Sequence, residues 1–377
     1  MTDYIARNTR RLRALKGLNQ GEVAEKAGIS RNAYRAIETG AAEPRVSNLQ
    51  KIADVLGASV LDLVREVPKL NSLRFRSRKS MTAQQQAEGA DIATRVAIWL
   101  KDFTEIEELL REQKKSRIKP LRGASKTPRQ QAEEARQILG IDRDKPIADI
   151  CDELESAGVK LCLISMNSPV FFGLSVGPED NGPAIAVNVR KDIPVERRIF
   201  SAAHELGHLV LHPGSYDGDI RDEQFDEPEE QAADAFAGYF LMPKDAFEAK
   251  WVEYRGLHFF DRIMKVKRYF QVSYKTVFRR LSDMGQLDKS AWAQFHNYYH
   301  MKCGKKLSAK DEPYPVEREL GPEPYPLRDP DFYEDRLSAL VRQALEKDLI
   351  SMSRAAEILG IPLEGMRRRI NSWSLAH

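Results

Sequence analysis

The segment "FSAAHELGHLVLHPG", Phe200 to Gly214, restricts what this 377-residue chain can become more than any other stretch. Ala203, Leu206, Leu209 and Val210 recur at helical spacing, so the helix they form is buried. His204 and His208 stand one turn apart and project from one face, with Glu205 beside them. Polar groups in apolar surroundings need partners. Two imidazoles one turn apart can share one zinc ion at about 2.0–2.1 Å per bond. The rest of the chain must therefore bring a further partner to this face.

A hydrolytic zinc takes three protein ligands and keeps one position open. His212 is near, but no glycine bend separates it from His208, so it is expected to end the helix rather than bind metal. A better third ligand lies in "EEQAADAFAGYFLMP". There Ala233, Phe236, Ala237, Phe240 and Leu241 form one helix face, and Glu230 and Asp234 stand one turn apart on another. A ligating Glu230, with Asp234 accepting a hydrogen bond from a ligating histidine, is the arrangement of gluzincin-type proteases. Glu229 competes for the role, but only Glu230 has an acid four residues on. Glu205 is the expected general base and zinc the expected cofactor.

Charge points to a second activity. Residues 1–80 carry 16 lysines and arginines against 8 acids, although the whole chain is only +3. Such an excess suits a segment that meets phosphate. Beneath it lies "NQGEVAEKAG", a short helix capped by Asn19 with Glu22 three residues on, stopped by Gly28. "ISRNAYRAIETG" restarts at once from Ser30 and stops at Gly40. "YIARNTRRLRALKG" before them and "VSNLQKIADVLGASVLDLV" after them complete five helices ending near residue 66.

Gln20, Ala24, Gly28, Ile29, Ser30, Ile37, Glu38 and Gly40 make this segment resemble the phage-repressor (Xre/Cro) helix-turn-helix family. The resemblance puts the helix that Ser30 starts into the major groove of double-stranded DNA, with Arg31, Asn32 and Arg35 at base edges and Gln20 on a phosphate. Arg13 and Glu38 match a buried structural ion pair of that family. Operator binding as a homodimer follows from the same resemblance.

The region from 67 to 126 reads as a linker. Arg74, Arg76, Arg78 and Lys79 form a basic extended stretch, with DNA contact and an interdomain strap both open. Ile92, Val96, Trp99, Phe103, Ile106 and Leu110 then predict an amphipathic helix whose stripe faces a core. Thr127 and Pro128 signal a new helix and a new domain. "PIADICDELESAG" reads as helix, and "VKLCLISM", "VFFGLSVG" and "PAIAVNV" as strands. The last, as an edge strand, would align a substrate as an added strand. The acids Asp217, Asp219, Asp222, Glu223, Asp226 and Glu227 read as a solvated loop.

Together "PAIAVNV", "ERRIFSAAHELGHLVLH" and "EEQAADAFAGYFLMP" resemble the ImmA/IrrE family of metallopeptidases over residues 127–260. The resemblance implies ligands His204, His208 and Glu230 and catalytic Glu205, with Asp234 where the family usually has Asn. "RFRSRK", Arg74 to Lys79, resembles a segment that precedes the protease domain in fused members. Two later segments, "IMKVKRYFQVSYKTVFRRL" within 261–300 and "SRAAEILGIPLEGMRRRI" within 333–377, repeat the helix-turn-helix cadence. Packing or regulation is expected of both. A Pro-rich connector over 301–332 joins them.

No apolar run approaches the roughly 20 residues that span a bilayer, and the N-terminus lacks a signal-peptide core. The expectation is a cytoplasmic protein with no membrane partner. Cys151, Cys162 and Cys303 are too few and too scattered for a disulfide framework or a metal knuckle. The expected fold is multidomain and mainly α. It has an N-terminal five-helix helix-turn-helix domain, a central α+β zincin-like domain with a small sheet, and C-terminal helical segments. The expected function is a DNA-binding transcriptional regulator that cleaves a repressor or itself in a stress or mobile-element response. The alternative is a non-proteolytic or antitoxin-like regulator that uses the protease fold as a sensor.

Overall fold

A computed structural model describes residues 2–75, 82–121, 126–166, 168, 171–216, 227–288, 290–308, 311–313 and 327–374. The chain opens with α1 (Thr2–Leu15), α2 (Gln20–Lys26), α3 (Arg31–Glu38), α4 (Val46–Leu56) and α5 (Val60–Val64). Asn19 and Glu22 form a reciprocal cap on α2, and Ser30 Oγ accepts from the Ala33 amide at 3.1 Å to start α3. Between them Gly28 takes φ +63°, the left-handed conformation that a tight turn between two helices needs. Val23, Tyr34, Ile37 and Ile52 fill the core of this unit. Glu38 is buried there and accepts from Arg13 Nη2 at 2.6 Å and Nε at 2.9 Å, so its charge is paired.

Next come β1 (Leu73–Phe75), α6 (Ala83–Leu110), α7 (Pro128–Leu139), α8 (Ile150–Ser156), β2 (Lys160–Ile164), β3 (Gly173–Val176) and β4 (Ala184–Asn188). The four strands form one sheet in the order β1-β3-β4-β2; β4 runs parallel to β2, and the other two pairs are antiparallel. The "IAVNV" segment is thus an interior strand. Both its edges are used by β3 and β2, so it cannot align a substrate as an added strand. Burial on both sheet faces explains why these strands read as apolar runs rather than alternating ones.

One sheet face packs on α9 (Val195–Leu211), α10 (Glu227–Leu241) and α7, through Leu161, Ile185 and Val187. α11 (Lys244–Glu253), α12 (Phe259–Phe270), α13 (Tyr274–Asp283) and α14 (Ala291–Cys303) extend this same core. The first later helix-turn-helix-like segment, α12 with α13, buries Tyr274, Val277, Phe278 and Leu281 in it. The other sheet face packs on α6 through Ile92, Val96 and Leu100. The stripe foreseen on α6 is therefore core-facing. Farther along, Phe103 and Ile106 join α15 (Arg336–Glu346), α16 (Met352–Ile358) and α17 (Leu363–Ser374) in a separate cluster.

Buried carboxylates on α6 fasten its neighbours. Asp91 pairs with Arg11 of α1. Asp102 lies between Arg65 at 2.9 Å and Arg354 of α16 at 2.8 Å. Glu107 takes Lys160 of β2 at 2.9 Å and also pairs with Arg336 of α15. No helix among the described residues is long and apolar enough to cross a membrane. The acidic-loop residues 217–226, residues 309–310 and 314–326 of the Pro-rich connector, and Arg76, Arg78 and Lys79 lie outside the described residues.

The start of α15 rests on α8. Glu155 Oε2 accepts from the Asp335 and Arg336 amides, each at 3.2 Å. Burial pushes the Glu155 carboxyl up to about 7, and burial followed by the Glu155 charge does the same to Glu334. A carboxyl raised on folding binds its proton preferentially in the folded state. Its contribution to stability therefore falls as pH rises from about 4.5 to about 7. Part of the loss in thermal stability between about pH 5.5 and pH 7.5 is expected to disappear in Glu155→Gln, as measured by calorimetry. An equal loss in both proteins would assign it to other groups.

Candidate metal centre

α9 and α10 cross so closely that a side chain on Gly207 would meet Phe236 Cδ1 at 3.0 Å and Ala233 Cα at 3.4 Å. Ala233, Phe236, Ala237 and Phe240 are fully buried against α9. This contact turns Glu230, in the first turn of α10, towards the two histidines. His204 Nε2 and His208 Nε2 lie 3.0 Å apart. Glu230 reaches them with Oε2 at 3.4 Å and Oε1 at 3.2 Å, respectively. The three residues are buried and offer ligand atoms that all lie within 4.8 Å of one another. Two bonds of about 2.0–2.1 Å at a tetrahedral angle need nitrogens roughly 3.3 Å apart, so two imidazoles and a carboxylate placed this way suit zinc.

Each histidine is aimed through its other nitrogen. His204 Nδ1 bonds Asp234 Oδ1 at 2.7 Å. A carboxylate can only accept, so Nδ1 carries a proton and Nε2 is the ring nitrogen that faces Glu230 and His208. His208 Nδ1 meets His212 Nδ1 at 3.0 Å. His212 caps the C-terminus of α9 and stands on the outer side of His208, away from the convergent atoms. It ends the helix, as foreseen, and also orients a neighbour one turn back, as its four-residue spacing from His208 permits.

Electrostatics follow from burial and these bonds. Burial works against a charge on His204, but hydrogen bonds to Asp234 and Glu230 outweigh it and push the imidazole up to about 9. Burial brings His208 down to about 3 against the pull of Glu230. Burial also opposes the Glu230 charge, yet the two imidazoles hold that carboxyl well below its usual range. Glu205 is raised by burial, with the His204 charge and a bond from Ser175 acting the other way.

Several contributors were not foreseen. Ser175 Oγ donates to Glu205 Oε2 at 2.8 Å, and Tyr216 donates to Ser175 at 2.9 Å. A side chain at Gly173 would meet Glu205 Cγ and Oε1 at 3.0 Å, so any larger residue there would press on this carboxylate. A glycine inside an apolar strand signals such an approach. Arg74 of β1 also arrives here, from the stretch where DNA contact and a strap were both open. Its Nη1 lies 2.5 Å from Glu229 Oε2 and its Nη2 lies 3.5 Å from Glu230 Oε1. Glu229 thus faces Arg74 and Ser215, while Glu230 faces the imidazoles. Tyr239 lines a groove of about 520 Å³ with Asp234, its ring under the Arg280 guanidinium at 3.7 Å.

In the N-terminal unit Ser30, Arg31, Asn32 and Arg35 are exposed around the front of α3, and half-buried Gln20 is the first residue of α2. The structure thus joins a helix-turn-helix unit to a domain in which two histidines and a glutamate converge closely enough to hold a metal ion. Comparison with known proteins agrees. Residues 10–63 match the family described as helix-turn-helix, and residues 155–282 match the peptidase family described as the IrrE N-terminal-like domain. The "Uncharacterized HTH-type transcriptional regulator y4dJ" of Sinorhizobium fredii (strain NBRC 101917 / NGR234) is 38% identical over 64 residues, 17% of this chain and 83% of that protein. The "Cryptic phage CTXphi transcriptional repressor RstR" of Vibrio cholerae is 38% identical over 55 residues, 15% of this chain and 50% of that protein. The chain belongs to the helix-turn-helix family of transcriptional regulators and carries an IrrE N-terminal-like peptidase domain in the same polypeptide. It spans only half the length of the phage repressor.

Asp234→Ala is expected to weaken zinc binding about 10–100-fold by releasing the His204 ring. Competition with a chromophoric chelator measures this. Unchanged affinity would show that helix packing alone orients His204.

Proposed function

We propose that the protein is a DNA-binding transcriptional regulator that uses zinc, held by His204, His208 and Glu230, to cleave a regulatory protein or itself. The observation that carries this reading is the convergence of those three buried donors beside Glu205. When bound, zinc supplies Lewis-acid activation of water and of a peptide carbonyl. Glu205 is the proton acceptor in this reading. Burial has raised its carboxyl, and a base nearer the working pH transfers protons better in both directions. Ser175, backed by Tyr216, fixes the carboxylate that does this work. Asp234 positions His204, and His212 positions His208.

The helix-turn-helix unit chooses where this happens. Arg31, Asn32 and Arg35 are the base-reading residues, Ser30 starts their helix, and Gln20 holds a phosphate. Two copies of the chain on two half-sites would give the usual repressor geometry. A phage repressor among the relatives suggests a repressor as substrate and a mobile-element or stress response as setting.

Two outcomes test this. Glu205→Gln is expected to keep zinc but slow cleavage of the partner at least about 100-fold, read on gels of protein co-purified with repressors encoded nearby. Processing by this variant and by metal-stripped protein as fast as by the unaltered zinc-loaded protein would leave a non-proteolytic regulator. In DNA binding, Arg31→Ala and Arg35→Ala are each expected to cost about 1–3 kcal/mol on the operator and little on random DNA. Fluorescence anisotropy at fixed salt measures it, and equal losses on both DNAs would remove these residues from base reading.

A further inference from the structure

The outer edge of β3 is the route by which an extended peptide would reach Glu205, because Ser175 of β3 donates to that carboxylate and a side chain on Gly173 would crowd it. In this chain the edge is taken. β1 pairs antiparallel with β3, with Arg74 opposite Ser175 and Leu73 opposite Val176. Residues opposite each other in a ladder point to the same sheet face. Arg74 therefore enters the metal-ligand side with Ser175, where its side chain is only 11% exposed. Leu73 points the other way, into the core shared with α6.

Polar devices hold β1 in place. Asp180 Oδ2 accepts from the Asn71 and Ser72 amides at 2.6 Å each and from Ser72 Oγ at 2.9 Å. Arg74 pairs with Glu229, which also accepts from Ser215 Oγ at 2.8 Å and 3.0 Å. Arg74 Nη2 also lies 3.5 Å from Glu230 Oε1, so the guanidinium competes with any cation for the charge of that carboxylate.

We propose that the outer edge of β3 is a binding site for an extended basic peptide, that Glu229 with Ser215 is its acceptor for an arginine side chain, and that β1 is a built-in occupant which such a peptide displaces. The use made of the bound peptide rests on the peptidase reading; its binding does not. The same geometry accounts for a restrained enzyme. While β1 is seated, a substrate cannot pair with β3, the strand that carries Ser175. The linker between the DNA-binding unit and the peptidase domain is itself the plug.

The test uses the full chain with Glu205→Gln, which removes turnover, and compares it with the same chain carrying Arg74→Glu or Asp180→Ala. The probe is a fluorescein-labelled peptide with the sequence of residues 68–80, read by anisotropy. Either release substitution is expected to tighten binding at least about tenfold, and the same peptide carrying Arg74→Glu is expected to lose that gain. Amide exchange at residues 173–176 should speed up in both variants and slow again with peptide. Equal affinity in all three proteins, or a gain indifferent to the arginine of the peptide, overturns the proposal. Asp180→Ala touches only the polar clamp, so it keeps the test open if Arg74→Glu does not fold. Neither readout needs hydrolysis. Absence of cleavage alone would sink the peptidase reading and spare this site, whereas cleavage with no peptide binding at the β3 edge would do the reverse.

Discussion

A histidine ring in an apolar helix interface has two nitrogens to satisfy, and the packing of α9 on α10 is where this chain meets that demand. The outward nitrogens of His204 and His208 go to Asp234 and His212. The inward ones meet Glu230. The interface must be close for this to happen, and Gly207 against Phe236 makes it close. Apolar burial of Ala233, Phe236, Ala237 and Phe240 supplies the driving force, and the polar cluster sets the register. Neither helix can slide without stranding a buried imidazole or carboxylate.

The same sheet that braces this interface ties the DNA-binding unit to it. β1 follows the five N-terminal helices and is hydrogen-bonded to β3, one strand from the interior β4. α6 then runs back across the sheet and pairs its buried acids with α1, β2, α15 and α16. Replacing one partner of such a pair leaves a charge uncompensated. The DNA-binding end, the peptidase domain and the C-terminal helices are thus held through one helix by charges that must stay matched.

Much of the candidate site was legible because helices report themselves locally. The one-turn spacing of His204 and His208, and of Glu230 and Asp234, puts each pair on one face whatever surrounds it. The caps at Asn19, Ser30 and Thr127 are likewise short-range, and they start helices where expected. Strand neighbours are not local. An interior strand and an edge strand in a doubly covered sheet share the same apolar composition, so "PAIAVNV" carried no sign of which it was. Ser175, Tyr216 and Arg74 belong to segments far apart in sequence; the pairing of β1 with β3 sets Arg74 opposite Ser175, and the Tyr216 hydroxyl reaches Ser175 from a third segment.

Sequence alone determined that a buried helix would carry two imidazoles and a glutamate on adjoining positions, that a second helix would offer Glu230 and Asp234, and that a basic five-helix unit would precede them. Periodicity and capping act within a few residues, and those are the terms a sequence states outright. The tertiary structure decided that Glu230 rather than Glu229 faces the imidazoles, that His212 steadies His208, and that the β3 edge holds a strand of the chain's own linker with Arg74 turned into the site. Apart from the His212 contact, which spans one helical turn, these outcomes depend on contacts between residues tens to more than a hundred positions apart, where the choice rests with packing and with the pairing of buried charge.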